Sequence, residues 1–166
     1  MEQNQPKLTF AHLLSIPPSA TALVEGTPAD PTLRGRVKLF DTDRGTVVFA
    51  EIEGLPNPEG ACAAPVFGFH IHDGSSCTGD ADDPFRDAGT HYNPNSCAHP
   101  YHAGDLPPLF GCNGTAAIAF LTDRFTVEEV MGKAVVIHAS PDDFTSQPAG
   151  NAGKKIAYGI FRPTLR

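Results

Sequence analysis

Residues 33–53 read LRGRVKLFDTDRGTVVFAEIE. In Leu33-Arg34-Gly35-Arg36-Val37-Lys38-Leu39, apolar or small residues alternate with basic ones, the period-two pattern of a strand with one wet face. Asp41-Thr42-Asp43-Arg44-Gly45 supplies a turn, and Thr46-Val47-Val48-Phe49-Ala50-Glu51-Ile52 returns as a second strand. The stretch is therefore a β-hairpin, ended by Gly54-Leu55-Pro56-Asn57-Pro58.

On either side of this hairpin the punctuation is similar. Strand patterns begin at Ala20, run through Pro65-Val66-Phe67-Gly68-Phe69-His70-Ile71-His72, and resume at Leu106–Phe110, Ala116–Thr122, Ala134–His138 and Ile156–Phe161. Phe125–Val130 allows one helical turn between two of them. Sixteen glycines and sixteen prolines exceed what a helical bundle carries, and about eight short strands predict an all-β sandwich or barrel. Residues 1–19 read as an irregular N-terminal arm ending at Pro17-Pro18, followed by one domain over 20–166. Between 73 and 105 the chain loses apolar periodicity. A loop of that length inside a compact domain needs disorder or a functional reason to be ordered, and metal ligands would provide one.

The formal charge of −7 argues against nucleic-acid binding, which normally needs a basic surface. No apolar stretch approaches the ~20 residues that cross a bilayer, so no membrane partner is expected. The first 22 residues, with one Lys, one Glu and a His-interrupted apolar stretch, make a poor secretory signal, which favours the cytoplasm. Four cysteines could instead be paired in an exported or oxidising location.

Six of the seven histidines lie between positions 70 and 138. Neutral imidazole is the commonest protein ligand for zinc and copper. His70 and His72, two apart on a strand, project from the same face and can bind one ion, while Ile71 points the other way. Standing alone, the pair would more often be ordinary surface or core histidines. Downstream, His91, His99, His102 and Asp105 offer three nitrogens and one oxygen on a loop, the donor set of a closed tetrahedral zinc site. His138 ends the apolar run Ala134-Val135-Val136-Ile137 and is the natural third partner for His70 and His72.

These residues resemble the copper/zinc superoxide dismutase family over roughly 20–161. The resemblance rests on Gly68-Phe69-His70-Ile71-His72, Gly89-Thr90-His91-Tyr92-Asn93-Pro94, His102-Ala103-Gly104-Asp105-Leu106, Val136-Ile137-His138 and Gly150-Asn151-Ala152-Gly153, all in the family's order. It implies an eight-stranded antiparallel Greek-key β-barrel, an immunoglobulin-like sandwich with long metal-binding loops. It also implies a copper ion on His70, His72, His91 and His138, and a zinc ion on His91, His99, His102 and Asp105. His91 would bridge the two and, on copper reduction, release copper and take a proton. Asp142, four residues after His138, matches the aspartate that links a copper-binding to a zinc-binding histidine, with Asp143 as the alternative. The implied reaction is antioxidant: Cu(II) oxidises one superoxide to O2, and Cu(I) reduces a second to hydrogen peroxide.

The sequence departs from the family in three places. The arginine that guides superoxide is Lys155 here, a catalytic position at which the charge is kept and the planar fork of donors is lost; Lys154 and Arg86 are further basic candidates. The usual disulfide cannot form, because the family's second cysteine position holds Tyr158. A Cys77–Cys97 bridge across the metal loop and a Cys62–Cys112 bridge are the pairings suggested instead. His99 and His102 are only three apart and the His138–Gly150 segment is short, which would open the copper site to solvent. Family members occur as monomers and as dimers, so a homodimer is allowed. A non-enzymatic metal carrier would follow from a lost copper ligand, and none is lost. A zinc hydrolase would need an open zinc position.

Overall fold

The structure is a computed structural model that describes residues 9–13, 15–60 and 65–164. The hairpin forms as its alternation requires. With β1 as Ala20–Gly26, strand β2 is Arg34–Thr42 and β3 is Gly45–Glu53. They pair antiparallel from Arg34↔Glu53 to Thr42↔Gly45. Val37 and Leu39 on β2 and Val48, Ala50 and Ile52 on β3 point into the core, while Arg34 meets Glu53 and Lys38 meets Glu51 on the wet face. Exposed pairs of this kind add little, so the buried face drives the pairing.

The remaining strands are β4 Val66–Phe67, β5 Phe69–His72, β6 Leu109–Phe110, β7 Thr115–Thr122, β8 Ala134–His138 and β9 Lys155–Pro163. Seven of them form one antiparallel sheet in the order β5-β8-β9-β1-β2-β3-β7, and β4 pairs with β6. Because β4 runs into β5 through Gly68, and β6 turns into β7 by a Cys112↔Thr115 bridge, the short ribbon ties the two sheet edges together. The result is an antiparallel barrel of eight chain paths, as expected. Its interior holds Leu39, Ile52, Phe69, Ile71, Leu109, Ile137 and Phe161, each fully buried. Each such side chain contributes roughly 1.5–3 kcal/mol.

Two expected elements differ. The strand expected over 106–110 shrinks to Leu109–Phe110, because Pro107 and Pro108 have no N–H to give a ladder. Within the stretch read as an irregular arm, Phe10–Leu13 forms a helical turn, α1, and Leu13 packs on Phe40 and Val47 of the hairpin's outer face. The turn expected near 125–130 is α2, Val127–Val130. It starts with a capping box in which Thr126 Oγ accepts the Glu129 N–H and the Glu129 carboxylate accepts the Thr126 N–H.

Candidate metal centre

Strands β5 and β8 are where the period of two acquires chemical meaning. Phe69, Ile71, Val135 and Ile137 enter the barrel core, which turns His70, His72 and His138 to the outer face. The register sets His70 opposite Val136 and His72 opposite Ala134. The other edge of β5 is bridged by the long loop, His72 to His91 and His70 to Asp105. Gly68 permits the crowding, since a Cβ there would lie 2.8 Å from the Ala152 methyl and 3.3 Å from both His138 Cβ and His70 Cε1.

The structure brings together all seven residues read as ligands. One nitrogen each from His70, His72, His91 and His138 lie within 4.8 Å of one another, and so do the donor atoms of His91, His99, His102 and Asp105. Ligands about 2.0–2.1 Å from one ion are separated by at most ~4.2 Å, so each group needs only a small contraction to close on a metal. His91 belongs to both groups, and all seven side chains are buried.

Hydrogen bonds fix which nitrogens are available. The Nδ1–H of His72 donates to the Gly89 carbonyl at 2.9 Å, and that of His138 donates to the Gly153 carbonyl at 3.2 Å. Their Nε2 lone pairs therefore face each other 3.4 Å apart, an arrangement that a cation between them relieves. Nδ1 of His70 and Nε2 of His91 are buried without a partner. Four lone pairs thus converge where a metal would stand. Burial lowers His72 to about 3 and His138 to about 4, and it pushes His70 lower still, helped by repulsion from His91. The rings stay neutral, the form that binds metal.

On the other side, His91 Nδ1 is 2.7 Å from Asp105 Oδ1, while His99 Nδ1 and His102 Nδ1 lie 3.1 and 3.3 Å from Asp105 Oδ2. His99 Nδ1 is not aligned for a hydrogen bond. Burial alone would raise the Asp105 carboxyl, but the bond from His91 and the attraction of the three imidazoles together hold it below its usual range.

Asp142, rather than Asp143, stands between the two groups. Its Oδ2 accepts from His70 Nε2 at 2.7 Å and its Oδ1 from His99 Nε2 at 2.9 Å. Asp143 is exposed and closes a turn with Thr145 and Ser146. Gly150, at φ +65°, lies so close that a Cβ would sit 2.0 Å from Asp142 Oδ1 and 2.6 Å from His99 Nε2. Two further residues escaped sequence reasoning because no motif marks them. Gln147 takes the His99 N–H on Oε1 and donates from Nε2 to the His99 carbonyl. Arg124 Nη1 donates to the carbonyls of Pro100, His102 and Asp105, holding the loop that carries three of the donors.

The sequence profile described as copper/zinc superoxide dismutase (SODC) matches residues 33–161. The chain belongs to the copper/zinc superoxide dismutase family. Among similar proteins, "Superoxide dismutase [Cu-Zn] 2" of Aquifex aeolicus is 34% identical over 143 residues, covering 77% of this chain and 78% of the relative. The enzyme of Legionella pneumophila is 32% identical over 157 residues, covering 90% of each chain. A solved structure of the Cu/Zn superoxide dismutase from Brucella abortus superposes with a TM-score of 0.71 at 25% identity, over 85% of this chain and 98% of that one. The protein is an oxidoreductase with copper and zinc as cofactors and superoxide as substrate.

The departures from this dismutase family also have structural form. A cleft of about 970 Å³ opens beside His72, His91 and His138, and Lys154 and Lys155 line it. Arg86 is not at this cleft, because its guanidinium pairs with Asp80 and Asp87. The bridge expected between Cys77 and Cys97 does not form, and both are free thiols. Asn93 bonds the backbone N–H and carbonyl of Cys97, leaving that side chain exposed with its thiol toward the Asn95 carbonyl. Cys77 instead packs in the cluster of Phe85, Ala88 and Val136 that includes Tyr158, the residue at the family's second cysteine position. Burial pushes the Cys77 thiol up to about 12. The other expected bridge involves Cys62, which lies outside the described residues; Cys112 is exposed.

Proposed function

We propose that His70, His72, His91 and His138 hold the copper ion, that His91, His99, His102 and Asp105 hold the zinc ion, and that superoxide becomes O2 and hydrogen peroxide where the copper group meets the cleft. The carrying observation is that one imidazole, His91, belongs to both four-donor groups. When bound, copper supplies the one-electron redox chemistry, while zinc, which has none, fixes the loop and the bridging ring.

The chain's own residues do the rest. Gly89 and Gly153 carbonyls hold His72 and His138 with Nε2 inward, and Asp142 does the same for Nδ1 of His70 and His99. His91 Nε2, buried and unpartnered, is the atom that can hold a proton for the product. Lys155 places an ammonium in the wall of the cleft by which the substrate anion reaches the copper group.

The test is superoxide consumption by the protein loaded with both metals and assayed for metal content. Activity should accompany a full metal complement, and His138→Ala should lose copper and activity while keeping zinc. Full metal without activity would overturn the enzymatic reading, and equal loss of both metals in the variant would overturn the division of ligands.

A further inference from the structure

The Lys155 ammonium does not stand free. Nζ donates to Asp83 Oδ2 at 2.6 Å, with the lysine side chain only 15% exposed and the aspartate 40%. The carboxylate is braced from behind, because its Oδ1 accepts the Phe85 N–H and its own backbone N–H donates to Asp80. Among the described residues, the cleft wall carries Asp30, Asp73, Asp82 and Asp83 against Lys154 and Lys155. Asp30 is bonded by Thr27, and Asp73 faces Lys133 across 3.7 Å. Lys155 is also the ammonium close enough to His72 and His138 to help depress both.

We propose that Asp83 is a specificity-determining residue of the cleft, one that cancels the charge of Lys155 and so sets how strongly the site attracts a small anion. This rests on the cleft's being superoxide's route to the copper group. Such a site trades anion capture for selectivity, because a neutralised wall also attracts phosphate and other competing anions less. The pairing also reduces how far added salt can slow the reaction by screening Lys155, since salt screens the carboxylate along with the ammonium.

Asp83→Asn separates charge from scaffold. The amide oxygen can keep the Phe85 N–H while its NH2 faces the ammonium and releases it. On protein loaded with copper and zinc and checked for metal content, azide is titrated against the visible copper band, and superoxide consumption is followed against ionic strength. Freeing one unit charge over about 10 Å of largely aqueous cleft should tighten azide roughly two- to fivefold, raise the low-salt rate by a similar factor and steepen its fall with salt. Adding Lys155→Met to Asp83→Asn should return azide affinity to within about twofold of the parent, since the pair is then removed charge-neutrally. Unchanged or weaker azide binding in Asp83→Asn, or a double variant as tight as Asp83→Asn, would overturn the proposal. A loaded protein that consumes no superoxide, yet whose azide affinity follows the charge, would support Asp83's role and overturn only the superoxide reading.

Discussion

Gly150→Ala is the substitution whose consequence can be worked out most fully. Gly150 has φ +65°, where an L side chain costs roughly 1–2 kcal/mol. The added methyl would also sit 2.0 Å from Asp142 Oδ1, so the carboxylate must retreat by more than an ångström. That retreat breaks two bonds to Oδ1, from His99 Nε2 at 2.9 Å and from the Phe144 N–H at 2.7 Å. Both are bonds to a carboxylate, each worth roughly 1.5–3 kcal/mol. The expected loss in the metal-free protein is therefore roughly 4–8 kcal/mol, a fall in Tm of at least about 8 °C for a chain of this size. Zinc affinity should drop at least about tenfold, because His99 loses the partner that fixes its ring. The control is Gly132→Ala, at φ +79° with nothing within 4 Å of the new methyl, which carries the backbone cost alone. Denaturant unfolding and competitive zinc titration of both variants give the comparison. If Gly150→Ala costs no more than Gly132→Ala, Asp142 does not brace His99 in the way described.

Arg124→Met, which keeps length and removes the donors to three loop carbonyls, should weaken zinc about tenfold with little effect on copper; the same competitive titrations decide it. The metal-free protein should be acid-labile in a defined window. Folding holds His138 near 4 and His72 near 3 against an unfolded value of 6.5, so the unfolded chain takes up more protons below 6.5, and stability falls as pH drops from there toward 4. By about pH 4.5, His138 alone should cost about 2.5 kcal/mol, seen as a lower denaturant midpoint. A midpoint unchanged from pH 7 would contradict the buried neutral rings. In the folded, unreduced protein at pH 8, Cys97 should react promptly with a thiol reagent, while Cys77, with its thiol raised to about 12, should lag until unfolding. Simultaneous reaction would show that the Phe85–Tyr158 packing does not protect it.

The donors were legible because they obey local rules. Period two sends Phe69 and Ile71 inward and therefore His70 and His72 outward, and the same rule at Val135 and Ile137 delivers His138. The loop donors lie within 15 positions of one another, so their spacing carries information. What stayed hidden depends on contacts between distant positions. Lys155 meets Asp83 across 72 positions, and Arg124 reaches back 24 positions to Pro100. A surface aspartate and a turn arginine carry no pattern that would reveal this. The Cys77–Cys97 pairing failed for a related reason. Proximity in sequence around one loop says nothing about side-chain direction, and Asn93 turns Cys97 outward. The packing of Leu13 on Phe40 and Val47 was equally unreadable, because those two residues sit on the hairpin face that alternation assigns to water.

The sharing of one imidazole by two metals is the centre of the account, and a parallel titration of His91→Ala, His138→Ala and His102→Ala with copper and zinc addresses it directly. His138→Ala should weaken copper alone and His102→Ala zinc alone, while His91→Ala should weaken both by at least about tenfold. A His91→Ala protein that lost affinity for only one of the two metals would contradict the shared ligand.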